Sequence, residues 1–203
     1  ITHAHIGHYS GLMYFGREAL GSKNLLVKVL PKMSNFLKTN GPWSQLVTLN
    51  NVQIQNTKFD KSNSELSNVD VTPIKVPHRD EYSETAGYII AGKNKKALFI
   101  PDIDKWDKWD KKLIHLVHDF DYLLLDATFY DSEEINRDIS EIPHPLVSET
   151  INLLNSLSKE NKRKIYFIHM NHTNPMLDPD SDLSKSITNK GFNIARLGQK
   201  LYL

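Results

Sequence analysis

The sequence predicts an α/β fold, on three observations. Apolar, strand-like runs come first, and helical patterns are interleaved with them and more frequent in the second half. Buried runs end in polar residues, at Asp102, Asp126 and His169, which is where α/β folds place their chemistry. Histidines His3, His5 and His8 crowd the first residues in the stretch "ITHAHIGHYSGL".

Ile1–Thr2 reads as the last step of a buried strand. "SGLMYFGREALG" spaces Leu12, Met13, Phe15, Ala19 and Leu20 helically and stops at Gly21. "NLLVKVL" reads as a strand. "PKMSNFLKTNG" reads as a short helix with Pro31 at its start and Gly41 past its end. "VQIQNTKF" alternates as a strand, "KSNSELSN" as a polar loop, and "VDVTPIKVPH" as a strand ending at His78. "TAGYIIAG" and "KKALFIPD" pair around the turn "GKNKK". "KWDKKLIHLVHDF" is an amphipathic helix, and "DYLLLDATF" an apolar strand expected to be covered on both faces. "HPLVSETINLLNSLSK" predicts a long helix, "RKIYFIH" a buried strand, "SDLSKSITNKGF" a helix and "NIARL" the last strand. No repeat or interdomain linker interrupts the series, so residues 1–203 read as a single domain.

Lys and Arg number 25 against 24 Asp and Glu, with no long block of one sign. Nucleic acid and acidic membrane surfaces are therefore poor partners. No apolar run reaches the roughly 18–20 residues of a membrane-spanning helix. Cysteine is absent, which excludes disulfides and thiolate metal sites. The expected partner is a small-molecule or peptide substrate, with a homodimer left open and a cytoplasmic setting favoured.

Imidazole is the commonest neutral ligand for zinc or iron. His-x-His at a strand end puts His3 and His5 on one face, because side chains alternate with period two. His8, three residues on, lies in the turn into a helix and can point back. Further ligand candidates follow later strands: His78, Asp102, His169 and His172. His115 and His118 are spaced as a metal pair, but the apolar stripe Leu113, Leu116, Val117 and Phe120 leaves them toward solvent. Trp106 and Trp109 are candidates for a pocket wall. Arg79, Asp80, Glu81 and Tyr82 lie next to His78 and either touch substrate or serve as loop polar groups. Asn171, Thr173 and Asn174 are expected to hold the last ligand loop through side-chain hydrogen bonds.

"THAHIGH" is similar to the His-x-His-x-Asp-His motif of the metallo-β-lactamase superfamily. "PHRDEYSETAGY", "FIPDID", "LLLDATFYD" and "FIHMNHTNP" look like its later motifs, in order. Within it the chain resembles the PQQ-biosynthesis protein B group, above all through "FIHMNHTNPML". The resemblance implies an αββα sandwich with metals at one edge. It also implies that most strands of the first sheet precede Ile1, so that the domain is N-terminally incomplete. Carried over by position, His3, His5 and His78 form one metal site; His8, a bridging Asp102 and His169 form the second. Gly7 stands where the motif has an aspartate, which leaves one ion or two open. Zinc is the expected metal, with iron or manganese as alternatives. His169 follows directly on its strand and is favoured over His172 as ligand, leaving His172 a supporting or proton-transfer role.

RNase Z-like phosphodiesterases resemble "LDATFYDSEE" and "EIPHPL" in having a strand-end carboxylate that orients a histidine; Asp126 and His144 hold those positions. The alternative is that Asp126 caps a loop and His144, between Pro143 and Pro145, opens a helix. The implied activity is a metal-dependent hydrolase in which metal-bound water attacks an ester or phosphodiester. An iron-dependent oxidoreductase or hydroxylase in quinone cofactor biosynthesis, and a metal or quinone carrier without turnover, are the alternatives.

Overall fold

The computed structural model describes residues 1–66, 68–134, 138 and 141–203. They fall into two compact units. The first comprises Ile1–Asn63, Thr72–Lys75 and Arg79–Ala86; the second comprises Ser64–Val71, Val76–His78 and Gly87–Leu203.

In the first unit, α1 (Ile6–Tyr9) runs into a 3-10 turn at Ser10–Phe15. The expected helix is broken there: Leu12 is buried, whereas Met13 and Leu20 face solvent. The apolar residues are too few on one face to bury a longer helix. β1 (Leu25–Val29) pairs in parallel with β2 (Val52–Asn56), joined by α2 (Pro31–Thr39) and α3 (Trp43–Thr48). Pro31 supplies a fixed first-turn φ, and the carboxylate of Glu84 accepts the Lys32 N–H at 3.0 Å, satisfying a donor the helix cannot. α2 buries Met33 and Leu37, one turn apart, in a cluster with Ala4, Tyr9, Leu12, Val29, Leu46 and Val52. Ile1–Thr2 is not a strand, but the Thr2 carbonyl accepts the Ala86 N–H at 3.0 Å and the Ala4 N–H donates to Ser83 Oγ at 2.7 Å. These two bonds hold the histidine-bearing stretch to the segment that ends at Ala86.

The larger sheet has the order β3-β4-β5-β6-β7-β8-β9, with β3 at Asn63–Leu66, β4 at Val69–Lys75, β5 at Ala86–Ala91, β6 at Lys96–Ile100, β7 at Tyr122–Asp126, β8 at Ile165–Ile168 and β9 at Asn193–Ile194. β3 lies in "KSNSELSN", expected as a loop; Ser67 of that stretch is outside the described residues. β5 and β6 are antiparallel, and β6 through β9 are parallel. Leu98 pairs with Leu123 and Leu123 with Ile165; Ile100 pairs with Leu125 and Leu125 with Phe167. All six are fully buried and share one face. Leu124, Tyr166 and Ile168 on the opposite face are only half-buried, so the equal covering of both faces expected from "DYLLLDATF" is not met.

The helices of this unit are shorter than their patterns. Around Trp106–Trp109 and Leu113–Phe120 only a 3-10 turn (Trp106–Lys108) and α4 (Leu113–Leu116) form. α5 covers Val147–Leu153, burying Val147, Thr150 and Ile151, followed by α6 (Lys159–Lys162) and α7 (Asp182–Asn189). No helix among the described residues is long and apolar enough to cross a membrane.

Leu123 sits at the centre of the fully buried face. Replacing it with alanine should cost about 2–5 kcal/mol in urea unfolding. Leu153→Ala, at a position 43% exposed, should cost under about 0.5 kcal/mol.

Candidate metal centre and its supporting residues

The parallel register carries the polar residues to one sheet edge. Ile100 is level with Leu125, and Asp126 with Ile168. The C-terminal ends of β6, β7 and β8 therefore deliver Asp102, Asp126 and His169 side by side in the second unit. His78 joins them from the segment after β4. Its Nε2 lies 3.9 Å from Asp102 Oδ1, and the ring is almost fully buried. His169 Nε2 lies 3.7 Å from Asp102 Oδ2, and His144 Nδ1 3.1 Å from Asp102 Oδ1.

Asp126 is fully buried and differs from Asp102 in how its oxygens are used. Oδ1 accepts the Thr128 N–H at 2.9 Å and the Thr128 hydroxyl at 2.7 Å. Oδ2 accepts the Ile103 N–H at 3.2 Å and faces His144 Nδ1 at 2.8 Å. An ionised carboxylate has about four lone-pair sites; Thr128 and Ile103 fill three of them, and His144 Nδ1 faces the fourth. Asp102, Asp126 and His144 each offer a ligand atom within 4.8 Å of the others. Asp126 thus faces His144 with its remaining contacts taken up by Thr128 and Ile103.

The loop after β6 is anchored so that Asp102 cannot drift. The Asp104 N–H donates to the Pro77 carbonyl at 2.7 Å. Lys105 Nζ reaches Glu149 at 3.0 Å, and Trp106 Nε1 donates to Thr150 Oγ1 at 2.8 Å. Burial works to raise Asp104, but the Lys108 ammonium and the Lys105 N–H outweigh it and hold the carboxyl below its ordinary value. Trp106 and Trp109 are buried, so they pack the core rather than wall an open pocket.

His169 adopts φ +63°, a left-handed conformation that histidine tolerates better than most residues. Asn174, also buried, holds its loop. Its side-chain amide donates to the Ala127 carbonyl at 2.8 Å, and its oxygen accepts the Met176 N–H at 2.9 Å. Thr173 donates to Glu134, and Asn171 Nδ2 to Thr173 Oγ1 at 2.8 Å, so the three polar residues expected to support this loop do so. His172 is exposed, with Nδ1 3.2 Å from Asn171 Oδ1; His169, not His172, stands beside Asp102. His115 and His118 are exposed.

In the first unit, His3 Nε2 and His5 Nδ1 face each other at 2.8 Å, and the rings of His3 and His8 are 4.3 Å apart. Thr2 Oγ1 bonds His3 Nδ1 at 3.0 Å, and Glu81 Oε2 bonds His5 Nε2 at 3.1 Å. Each ring thus has one nitrogen fixed by a neighbour and the other turned toward its fellow histidine. At 2.8 Å one of the two facing nitrogens carries a hydrogen for the other, and the clustering of three imidazoles is the arrangement that could take a metal. Among the loop residues after His78, Glu81 is thereby given a supporting role, and Asp80 accepts the Thr85 hydroxyl at 2.9 Å.

Thr128 is the residue that the sequence reading missed. Its signal is the Asp-Ala-Thr spacing, in which a carboxylate caps the N–H and O–H two residues on.

The family model described as beta-lactamase superfamily domain matches residues 1–170. The chain belongs to the metallo-β-lactamase superfamily. It is also similar to coenzyme PQQ synthesis protein B of Methylococcus capsulatus, 32% identical over 140 residues, which are 63% of this chain and 44% of that protein. The chain spans less than half the length of the curated relatives it matches. Zn(2+)-bound PqqB from Methylobacterium extorquens superposes with a TM-score of 0.80 at 20% identity, covering 100% of this chain and 71% of that one. A diphosphatase from the PhnP family superposes with a TM-score of 0.61 at 19% identity, covering 100% and 69%. These likenesses show that the metallo-β-lactamase fold expected from the sequence is present. These curated relatives are PqqB proteins, and the chain is similar to them.

Removing the Asp126 carboxylate strands buried donors on both sides of the site. Asp126→Ala should destabilise the second unit by about 3–5 kcal/mol in chemical denaturation.

Proposed function

We propose that the protein is a metal-dependent hydrolase of esters, with phosphodiesters the favoured substrate class, in which His144 is the general acid. The observation that carries this is the 2.8 Å contact of His144 Nδ1 with a buried carboxylate whose other lone pairs are taken. Because Nδ1 is held by Asp126, the proton that His144 gives up is the one on Nε2. Asp126 stabilises the imidazolium before transfer and keeps the ring from turning afterwards. The proton passes to the leaving oxygen of the ester, and Phe129, edge-on to His144 with ring centroids 6.1 Å apart, packs beside the imidazole.

The proposed ligand sets are His3, His5 and His78 for one ion, and His8, Asp102 and His169 for a second, with Asp102 shared. They rest on the motif order of the superfamily and on the donor chemistry within each unit. When bound, such an ion supplies Lewis-acid polarisation and a water acidic near neutral pH. Zinc is the proposed metal, in keeping with the zinc-bound PqqB relative; iron and manganese are the alternatives. The diphosphatase likeness is in keeping with water attacking phosphorus, though at a phosphoanhydride rather than an ester.

The curated relatives are named for coenzyme PQQ synthesis, and a second reading in keeping with that is an iron-dependent oxidoreductase or hydroxylase in quinone cofactor biosynthesis, or a carrier without turnover. Full-length protein that holds iron and consumes oxygen with a tyrosine-bearing peptide would support the oxidative form. Stoichiometric quinone binding without turnover would support the carrier.

The test of the hydrolase is cleavage of an aryl phosphodiester by zinc-loaded full-length protein. His144→Ala should lower kcat by about 10²–10⁴-fold with zinc content unchanged; an unaltered rate rejects His144 as the acid. A Cβ on Gly7 meets nothing within 4 Å, so Gly7→Asp should fold normally. By elemental analysis, tightly held zinc should rise from about one to about two ions per chain, because a carboxylate returns to the second set.

A further inference from the structure

Thr128 Oγ1 touches three side chains of the centre at once. It lies 2.7 Å from Asp126 Oδ1, 2.9 Å from His169 Nδ1 and 3.2 Å from His144 Nδ1. A hydroxyl has one proton to give and two lone pairs. The carboxylate can only accept, and at 2.7 Å it forms the short charge-assisted bond that outcompetes a neutral ring nitrogen. The hydroxyl proton therefore belongs to Asp126, and Oγ1 has only lone pairs left for the imidazoles. A ring nitrogen at hydrogen-bond distance from it must bring its own hydrogen.

We infer that Thr128 is a positioning residue that fixes His169 as the Nδ1–H tautomer, so that the ring's lone pair lies on Nε2, facing Asp102. The 3.7 Å separation of that nitrogen from Asp102 Oδ2 places the donor pair where the two residues can share one ligand. The same logic puts a hydrogen on His144 Nδ1, in agreement with its 2.8 Å bond to Asp126. That hydrogen points to Asp126, so Thr128 orients His169 directly and reaches His144 only through the carboxylate they share.

The hub is held firmly. The Thr128 N–H is bound to Asp126 at 2.9 Å, its carbonyl accepts the Asn171 N–H at 3.0 Å, and the residue is buried. Burial keeps water from replacing the hydroxyl when it is removed.

The assignment rests on the metal-site reading above, but its tautomer can be read without metal. Full-length protein labelled with ¹⁵N-histidine gives ring tautomers by long-range ¹H–¹⁵N correlation, the His169 signals being identified by their loss in His169→Gln. Metal-free wild type and Thr128→Ser should both show His169 as Nδ1–H, whereas Thr128→Val, which keeps the shape and lacks the hydroxyl, should show a mixture. In chelator competition Thr128→Val should bind zinc about 10–100-fold more weakly, and Thr128→Ser within about threefold of wild type. His169 found as Nε2–H in wild type overturns the inference. So does a Thr128→Val protein with unchanged tautomer and zinc affinity, or a Thr128→Ser protein as impaired as Thr128→Val. If Thr128→Val does not fold, the wild-type and Thr128→Ser spectra decide: Nδ1–H in both supports the inference, and Nε2–H in either overturns it. Wild type that binds no zinc yet shows the stated tautomers removes the metal reading and leaves the role of Thr128 standing.

Discussion

The buried carboxylate of Asp126 organises the polar edge of the second unit, where the strand ends bring Asp102, His144 and His169 together. It accepts the Ile103 N–H just past Asp102, the N–H and hydroxyl of Thr128, and the Nδ1 side of His144. Three chain segments that share no regular secondary structure are pinned by one group. A buried carboxylate is tolerable only when its lone pairs are met by donors, and here the donors are the residues that need placing. His169 is reached at one remove, through the Thr128 hydroxyl.

The sheet makes this economy feasible. Parallel pairing of β6, β7 and β8 brings their C-terminal ends to one edge, so residues far apart in sequence need only short loops to meet. The fully buried face of Leu98, Ile100, Leu123, Leu125, Ile165 and Phe167 fixes the register. A slip of one residue would turn these side chains to the less covered face and would separate Asp126 from the Asp102 and His169 loops. Trp106 and Lys105, tied to α5, then hold the Asp102 loop against the frame. In the first unit the polar contacts of Thr2, Ser83 and Glu81 do the same for His3 and His5 on a smaller scale.

Much of this was legible in the sequence where an apolar run stops abruptly on a polar residue. Asp102, Asp126 and His169 announce themselves in that way, and His3, His5 and His8 by spacing. Residues whose role is to touch other functional residues were harder to see. Thr128 is an ordinary hydroxyl in a strand-end turn, and only the fold brings its oxygen among Asp126, His144 and His169. Trp106 and Trp109 misled because a charged surrounding sequence hides that both rings turn inward. β3 was missed because a strand in "KSNSELSN" lacks the apolar alternation that marks a half-buried one. α5 is shorter than its apolar pattern because periodicity reports which face is buried, not where the backbone leaves the helix.

The central claim is that Asp126 orients His144 and leaves the metal to other donors. Anomalous diffraction at the zinc edge from crystals of the zinc-loaded full-length protein tests it most directly. A zinc peak should appear within bonding distance of Asp102 or of His169 Nε2, with Asp126 still bound to Thr128 and to His144 Nδ1. A zinc ion seated between Asp126 and His144 Nδ1 would contradict it.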